Sequence, residues 1–235
     1  MRNNAGRPTL KEIERRKHHV LEVAADLFVR HGYMGVSLVE IAKRAGVATR
    51  TVYQHFGDKE SLFKTVMSGR ELSPIKERPV LEKGDTLYAL LMRLSHYVCD
   101  AAFRDRSVDL MRLIIAETQR FPETAKKVTD AALHALLHNL SNVFQQLEDA
   151  GAIKRNDHAL TSRLFLDLIL GFAPLRHYTN WEAHLPTDAE LGTKVDLFIL
   201  GRFGPEVAKT AKTRRLALPV AAGDARPRAA AALKA

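Results

Sequence analysis

"VATRTVYQHF", residues 47–56, lies between Gly46 and Gly57 and places two threonines, an arginine, a tyrosine, a glutamine and a histidine in ten positions. At 3.6 residues per turn, Val47, Val52 and Phe56 share one side. Thr49, Arg50, Tyr53 and Gln54 are left outward or at the margin, with His55 beside them. A helix that reads a DNA groove needs one apolar stripe to hold it to its own domain. Its remaining surface must carry donors that meet phosphates or base edges. An ordinary solvated helix carrying a tyrosine fits the same spacing.

The flanking sequence narrows the choice. Upstream, Val20, Leu21, Ala24, Leu27 and Phe28 recur on one helical face, and Gly32 stands in the stop position after them. "SLVE", residues 37–40, reads as a capping box that opens a second helix, with Leu38, Ile41, Ala42 and Ala45 inward. Gly46 ends it and the opening stretch follows as a third helix. A fourth begins near Asp58, with Leu62, Phe63 and Val66 on one side. Helix, glycine turn, helix is the helix-turn-helix arrangement, in which the second helix enters the major groove and the first crosses the backbone.

The run "AADLFVRHGY", "SLVEIAKRAGV" and "TVYQHFGDKESLF" resembles the N-terminal DNA-binding domain of the TetR family of bacterial regulators over about fifty residues. The resemblance implies phosphate contacts from Ser37, Tyr53, His55 and Lys59. It implies base readout by Thr49, Arg50 and Gln54, with Thr51 at the helix margin. Many members have a capping Ser where this chain has Ala48. The expectation is that Thr49 takes over the cap and that Arg50, able to bind guanine O6 and N7 in bidentate fashion, carries more of the specificity. "AGRPT", residues 5–9, reads either as a minor-groove hook or as a basic leader.

Charge is distributed accordingly. Residues 1–70 carry +6, residues 71–201 carry −3 and residues 202–235 carry +6, within a total of +9. A basic head on a mildly acidic carrier suits a polyanion partner. The single Cys99 excludes a disulfide framework and fits a cytoplasmic setting. No apolar run is long enough to cross a bilayer, so no membrane partner is expected.

The fold class expected is all-α: a three-helix helix-turn-helix domain joined to a larger helical effector-binding and dimerisation bundle. Residues 1–14 read as a basic arm, 15–72 as the DNA-binding domain, 80–204 as the bundle and 205–235 as a basic, Ala-rich mobile tail. In the bundle, Asp85 is expected to cap a helix running to about Phe103, and Pro174 to kink or end another that starts at Asp157. "TDAE", residues 187–190, reads as a second capping box.

An effector pocket is expected among Leu91, Leu94, Val98, Leu110, Leu113, Ile114, Leu140 and Phe144, with His96, Tyr97 and Asn139 as polar contacts. With so few ionisable groups, its ligand would be neutral and hydrophobic. A filled core made of the same residues is the competing reading. The resemblance implies a homodimer through the last two helices, and the sequence agrees in offering Leu164, Phe165, Leu168, Val195, Phe198 and Ile199 there. Such a dimer would bind a roughly palindromic double-stranded operator.

His134 and His138 are four apart but fall off the apolar stripe of their helix, and no third metal ligand can be named. No nucleophile elbow or phosphate-cradling glycine loop occurs. "RHYTNWEAHL", residues 176–185, reads as a pocket mouth or as loop packing. The expectation is therefore no catalytic residue, no metal and no cofactor; the resemblance implies a transcriptional regulator, most often a repressor in this family, released from its operator by a small hydrophobic ligand. A helical enzyme or ligand carrier with an incidental basic head is the alternative.

Overall fold

In a computed structural model, residues 9–68, 79–181 and 184–216 are described. They form α1 (Leu10–His31), α2 (Leu38–Arg44), α3 (Thr49–Phe56), α4 (Lys59–Ser68), α5 (Leu87–Phe103) and α6 (Asp105–Glu117). There follow α7 (Pro122–Asp149), α8 (His158–Leu170), α9 (Ala173–Thr179), α10 (Asp188–Phe203) and α11 (Pro205–Thr210). The one strand-like pairing among the described residues is an antiparallel bridge between Thr86 and Arg215. The all-α expectation holds.

The helix ends follow from local chemistry. Thr9 caps α1, and a reciprocal bond with Glu12 completes a capping box, so residues 10–14, expected in the arm, are helical. The Gly6-Arg7-Pro8 hook lies outside the described residues. Thr187 and Glu190 form the second box, as the sequence implies. At Ser37 only half of a box forms: its hydroxyl accepts from the Glu40 N–H, while the Glu40 carboxylate faces Arg44 at 3.7 Å. Thr86, not Asp85, caps α5, because both Asp85 oxygens are held at 2.7 Å by the Arg93 guanidinium. Gly171 ends α8, and Pro174 lies in the first turn of the separate α9, where a missing N–H is harmless.

Two apolar cores organise the described residues, and they do not divide where the sequence suggests. One gathers α1–α4 but also takes Leu110, Leu113 and Ile114 from α6, and Phe121 and Ala125 at the start of α7. The other joins α5, the C-terminal half of α7, α8, α10 and the segment after α11. In it Phe165 meets Phe144 and Phe198 with ring centres 5.9 Å and 5.0 Å apart.

This division corrects the expected pocket. Leu91, Leu94, Val98, Leu140 and Phe144 are completely buried in the body core. Leu110, Leu113 and Ile114 point instead into the head core. They do not enclose a common space, because α6 turns its apolar face toward the head.

The dimer expectation is corrected in the same way. Phe165, Val195, Phe198 and Ile199 lie inside the protomer, none more than 4% exposed. Leu164 is exposed and Leu168 half-buried. The outward apolar residues of α8 and α10 are Leu160, Leu164, Leu197 and Leu200, each between 43% and 57% exposed.

Residues 205–216 are not a tail. Ala211 and Leu216 are buried in the body core. The Tyr88 N–H donates to the Ala211 carbonyl at 3.0 Å and the Leu216 N–H to the Asp85 carbonyl at 2.8 Å. Composition hid this because two apolar side chains and backbone bonds anchor the segment. The rest of the expected tail, 217–235, lies outside the described residues.

Candidate nucleic-acid interface

The turn before α3 sets the angle of the reading helix. The Val47 N–H donates to the Ala42 carbonyl and the Gly46 N–H to that of Lys43, a Schellman closure. It requires the left-handed backbone of Gly46, at φ +65°, which a side chain would strain. Val52, fully buried, and Phe56 then hold α3 to the head.

What remains outward matches the sequence reading. Arg50, Tyr53 and Gln54 are exposed, and Thr49, Thr51, His55 and Lys59 half-buried. Tyr53 is 53% exposed, a large aromatic left in solvent. Ser37 is exposed at the start of α2, its hydroxyl oxygen engaged in capping. The N-cap of α3 is Ala48 and no side chain caps it. Thr49 therefore does not take over the cap; it lies in the first turn.

Nearby acids are occupied. Asp58 accepts the Ser61 N–H at 2.7 Å at the head of α4, and that bond holds its carboxyl below the usual range. No acid lies in the first turn of α3, so the reading face is left with donors and cations.

Lys59 sits at a junction that sequence reasoning missed. Its ammonium lies 4.4 Å from the centre of the Tyr33 ring, and the Arg120 guanidinium lies 5.1 Å from the same centre. Burial first, then the Arg120 charge, push the Lys59 ammonium below its ordinary range. Glu117 accepts the Tyr33 N–H at 3.1 Å. Phe121 packs on both Tyr33 and Phe63. The signal in the sequence was the Arg-Phe-Pro turn at residues 120–122.

In the body, an open cleft of about 600 Å³ runs along α5 beside Leu185 and Pro186. Of the expected pocket residues only His96 and Tyr97 line it. The Asn139 amide donates to the Tyr97 hydroxyl at 3.0 Å, and His96 lies 3.3 Å from Asp188. Cys99 borders the cleft, but burial pushes its thiol up to about 11, so it is a poor nucleophile. His134 and His138 are exposed on α7, and His138 pairs with Asn142 at 3.1 Å. Trp181 is exposed, with the Arg176 guanidinium 5.8 Å from its ring.

A trihelical head with a donor-bearing helix exposed on a buried stripe, carried by a larger helical body, defines a helix-turn-helix DNA-binding protein. The family model for bacterial regulatory proteins of the tetR family matches residues 20–66, and that for the C-terminal domain of AefR-like transcriptional repressors matches residues 89–199. The regulator AcrR of Shigella flexneri is 31% identical over 145 residues, 60% of this chain and 67% of that protein. YvkB of Bacillus subtilis, an HTH-type regulator, is 24% identical over 83% of this chain and 97% of its own. A TetR-family regulator structure from Mesorhizobium loti shares the fold with a TM-score of 0.67 and 22% identity, covering 83% of this chain and 98% of that one.

This chain belongs to the TetR family and is a DNA-binding transcriptional regulator, not an enzyme. Regulators of the family bind operator DNA, dimerise and answer to small-molecule effectors. Among the described residues, no single helix is long and apolar enough to cross a membrane.

Proposed function

We propose that this regulator is a cytoplasmic homodimeric repressor whose two α3 helices read a roughly palindromic operator and whose release is driven by a small, largely apolar effector. One observation carries the reading: Arg50, Tyr53 and Gln54 stand in solvent on a helix fixed by buried Val52 and Phe56. One head spans too few base pairs for useful specificity. Two heads about one helical turn apart, ~34–36 Å, supply it. Tyr53, Lys59, His55 and Ser37 take phosphate roles. Arg50, with Thr49 and Gln54, reads base edges, and Thr51 supports the helix margin.

The effector is assigned to the cleft along α5. Its walls combine apolar Phe103, Leu185 and Leu191 with polar Tyr97 and His96. Its charged rim is largely self-paired, Arg93 with Asp85 and Arg104 with Asp100. A ligand entering it gains by burying apolar surface and by one or two oriented hydrogen bonds. Its leverage on DNA is set by its differential affinity for the released state.

The test is to select duplexes from a random-sequence pool with the wild-type chain and measure their affinity for variants across a salt series. Tyr53→Ala lowers affinity for every duplex and flattens the salt dependence, whereas Arg50→Ala relaxes preference at one position per half-site. Unchanged affinity and slope in Tyr53→Ala would remove α3 from the interface.

A further inference from the structure

The junction on Tyr33 brings together two cations from opposite ends of the architecture. Lys59 opens α4, three residues past the end of the reading helix. Arg120 belongs to the body, in the turn between α6 and α7. Both lie within 5.1 Å of the centre of one aromatic ring. Like charges this close repel, and a protein normally places an acid between them. Here Glu117 accepts the Tyr33 N–H and its charge acts on Lys59, but it forms no ion pair with either cation. Arg120 is exposed and makes no ion pair with another described residue.

The turn that carries Arg120 is held by backbone bonds and by a buried side chain. The Arg120 and Phe121 N–H groups both donate to the Glu117 carbonyl, at 3.0 Å and 2.9 Å. The next side chain, Phe121, is buried against Tyr33 and Phe63. A guanidinium carries five N–H donors in one plane, a fork that matches paired anionic oxygens. A pair of cations that the Glu117 charge balances only in part, with a planar fork in one half, fits a phosphodiester oxygen pair.

From this geometry we infer that Arg120 is a DNA-contacting residue supplied by the body, which closes with Lys59 on one phosphate of the operator backbone. The inference rests on the head binding DNA as proposed above. It extends the interface beyond the helix-turn-helix domain and makes DNA affinity sensitive to where the turn between α6 and α7 stands. Because a phosphate carries no sequence information, Arg120 contributes equally at every sequence.

The experiment uses the full chain, a duplex selected from a random pool by the wild-type chain, and an unselected mixed-sequence duplex of equal length. Binding is followed by fluorescence anisotropy from 50 to 300 mM salt in wild type, Arg120→Gln, Arg120→Lys and Tyr53→Ala. Gln keeps a planar group over Tyr33 without the charge; Lys keeps the charge. Arg120→Gln is expected to weaken both duplexes about ten-fold at the lowest salt and to reduce the slope of log affinity against log salt by about one per protomer. Arg120→Lys is expected to restore the slope. Wild-type behaviour in Arg120→Gln, with Tyr53→Ala impaired, overturns the assignment while leaving the DNA-reading helix in place. Equal impairment by Gln and Lys also overturns it, because Arg120 would then act by stacking alone. A wild-type profile in Tyr53→Ala rejects the underlying reading instead.

Discussion

Phe121 and Tyr33 meet edge to face, with ring centres 4.9 Å apart, although they stand 88 positions apart and belong to body and head respectively. Phe63 closes the cluster at 5.1 Å from Phe121 and 4.8 Å from Tyr33. The head core is therefore completed by the body. Phe121→Ala should destabilise the protein by about 3 kcal/mol, from lost transfer energy and the cavity left behind. Phe121→Leu should cost less. Urea unfolding followed by circular dichroism measures both, and a loss below ~1 kcal/mol for the Ala variant would show that the cluster is not a shared core.

The α3 helix lacks a side-chain cap because Ala48 has none to give. Its backbone is already extended, at φ −66° and ψ 140°, so a Ser there has the right conformation without rearrangement. Ala48→Ser should raise stability by about 1 kcal/mol. Thr187→Ala, which removes a formed capping box, should lower it by a similar amount. Thermal melting compares the two, and a neutral Ala48→Ser would mean that the orphan N–H groups are already satisfied by solvent.

On α8 and α10, inward and outward residues should respond differently to charge. Leu164→Asp combined with Leu197→Asp should yield folded monomers, because both side chains stand at the surface. Phe165→Asp should instead unfold the body, since an unpaired charge would enter a fully buried site. Sedimentation velocity with circular dichroism separates the outcomes. A fully dimeric double variant would move the interface off this face.

Residues 205–216 should be required for stability. Ending the chain after Gly204 removes Ala211 and Leu216 from the body core and leaves the Tyr88 N–H without its carbonyl partner. Ending it after Leu216 keeps all three. The first truncation should lower the melting temperature by several degrees and the second should not. Equal melting temperatures would contradict the packing of this segment.

His177 should give the body a pH dependence. It is buried, edge-on to Phe103 with ring centres 4.4 Å apart, and its Nε2 has no partner among the described residues. Burial first, then the charges of Arg112 and His184, hold its pKa below the ordinary 6.5. The unfolded chain thus takes up a proton at higher pH than the folded one. The stability His177 contributes is complete above pH 6.5 and falls as pH drops below it, levelling off once the folded form also protonates. In His177→Leu, the loss of stability between pH 7.5 and 5.5 should shrink relative to wild type. Parallel curves for the two proteins would refute the assignment.

The head was legible in the sequence because its signals are local. Gly46, the apolar stripe of Val52 and Phe56, and the outward Arg50, Tyr53 and Gln54 all lie within a dozen positions. The body was legible in its helices but not in their facing. Leu110, Leu113 and Ile114 form a good stripe, yet periodicity does not say which core a stripe joins, and α6 joins the head. The resemblance and the apolar stripe both point to Phe165 and Phe198 as interface, but large apolar residues also fill a protomer's own core, and these two do. The segment at 205–216 was missed because backbone pairing, such as that of Arg215 with Thr86, leaves no compositional trace.

The helix α7 is 28 residues long, with Ala125 near its start in the head core and Phe144 and Leu147 toward its end in the body core. At 1.5 Å per residue it is a pointer ~42 Å in length, and a tilt of about 10° about its body end would carry its tip roughly 7 Å. Successive turns of the double helix repeat every ~34 Å, so such a swing is about a fifth of the graduation on the ruler the two heads must match. A slight reshaping of the body can therefore put both heads out of step with the grooves while each reading surface keeps its own form.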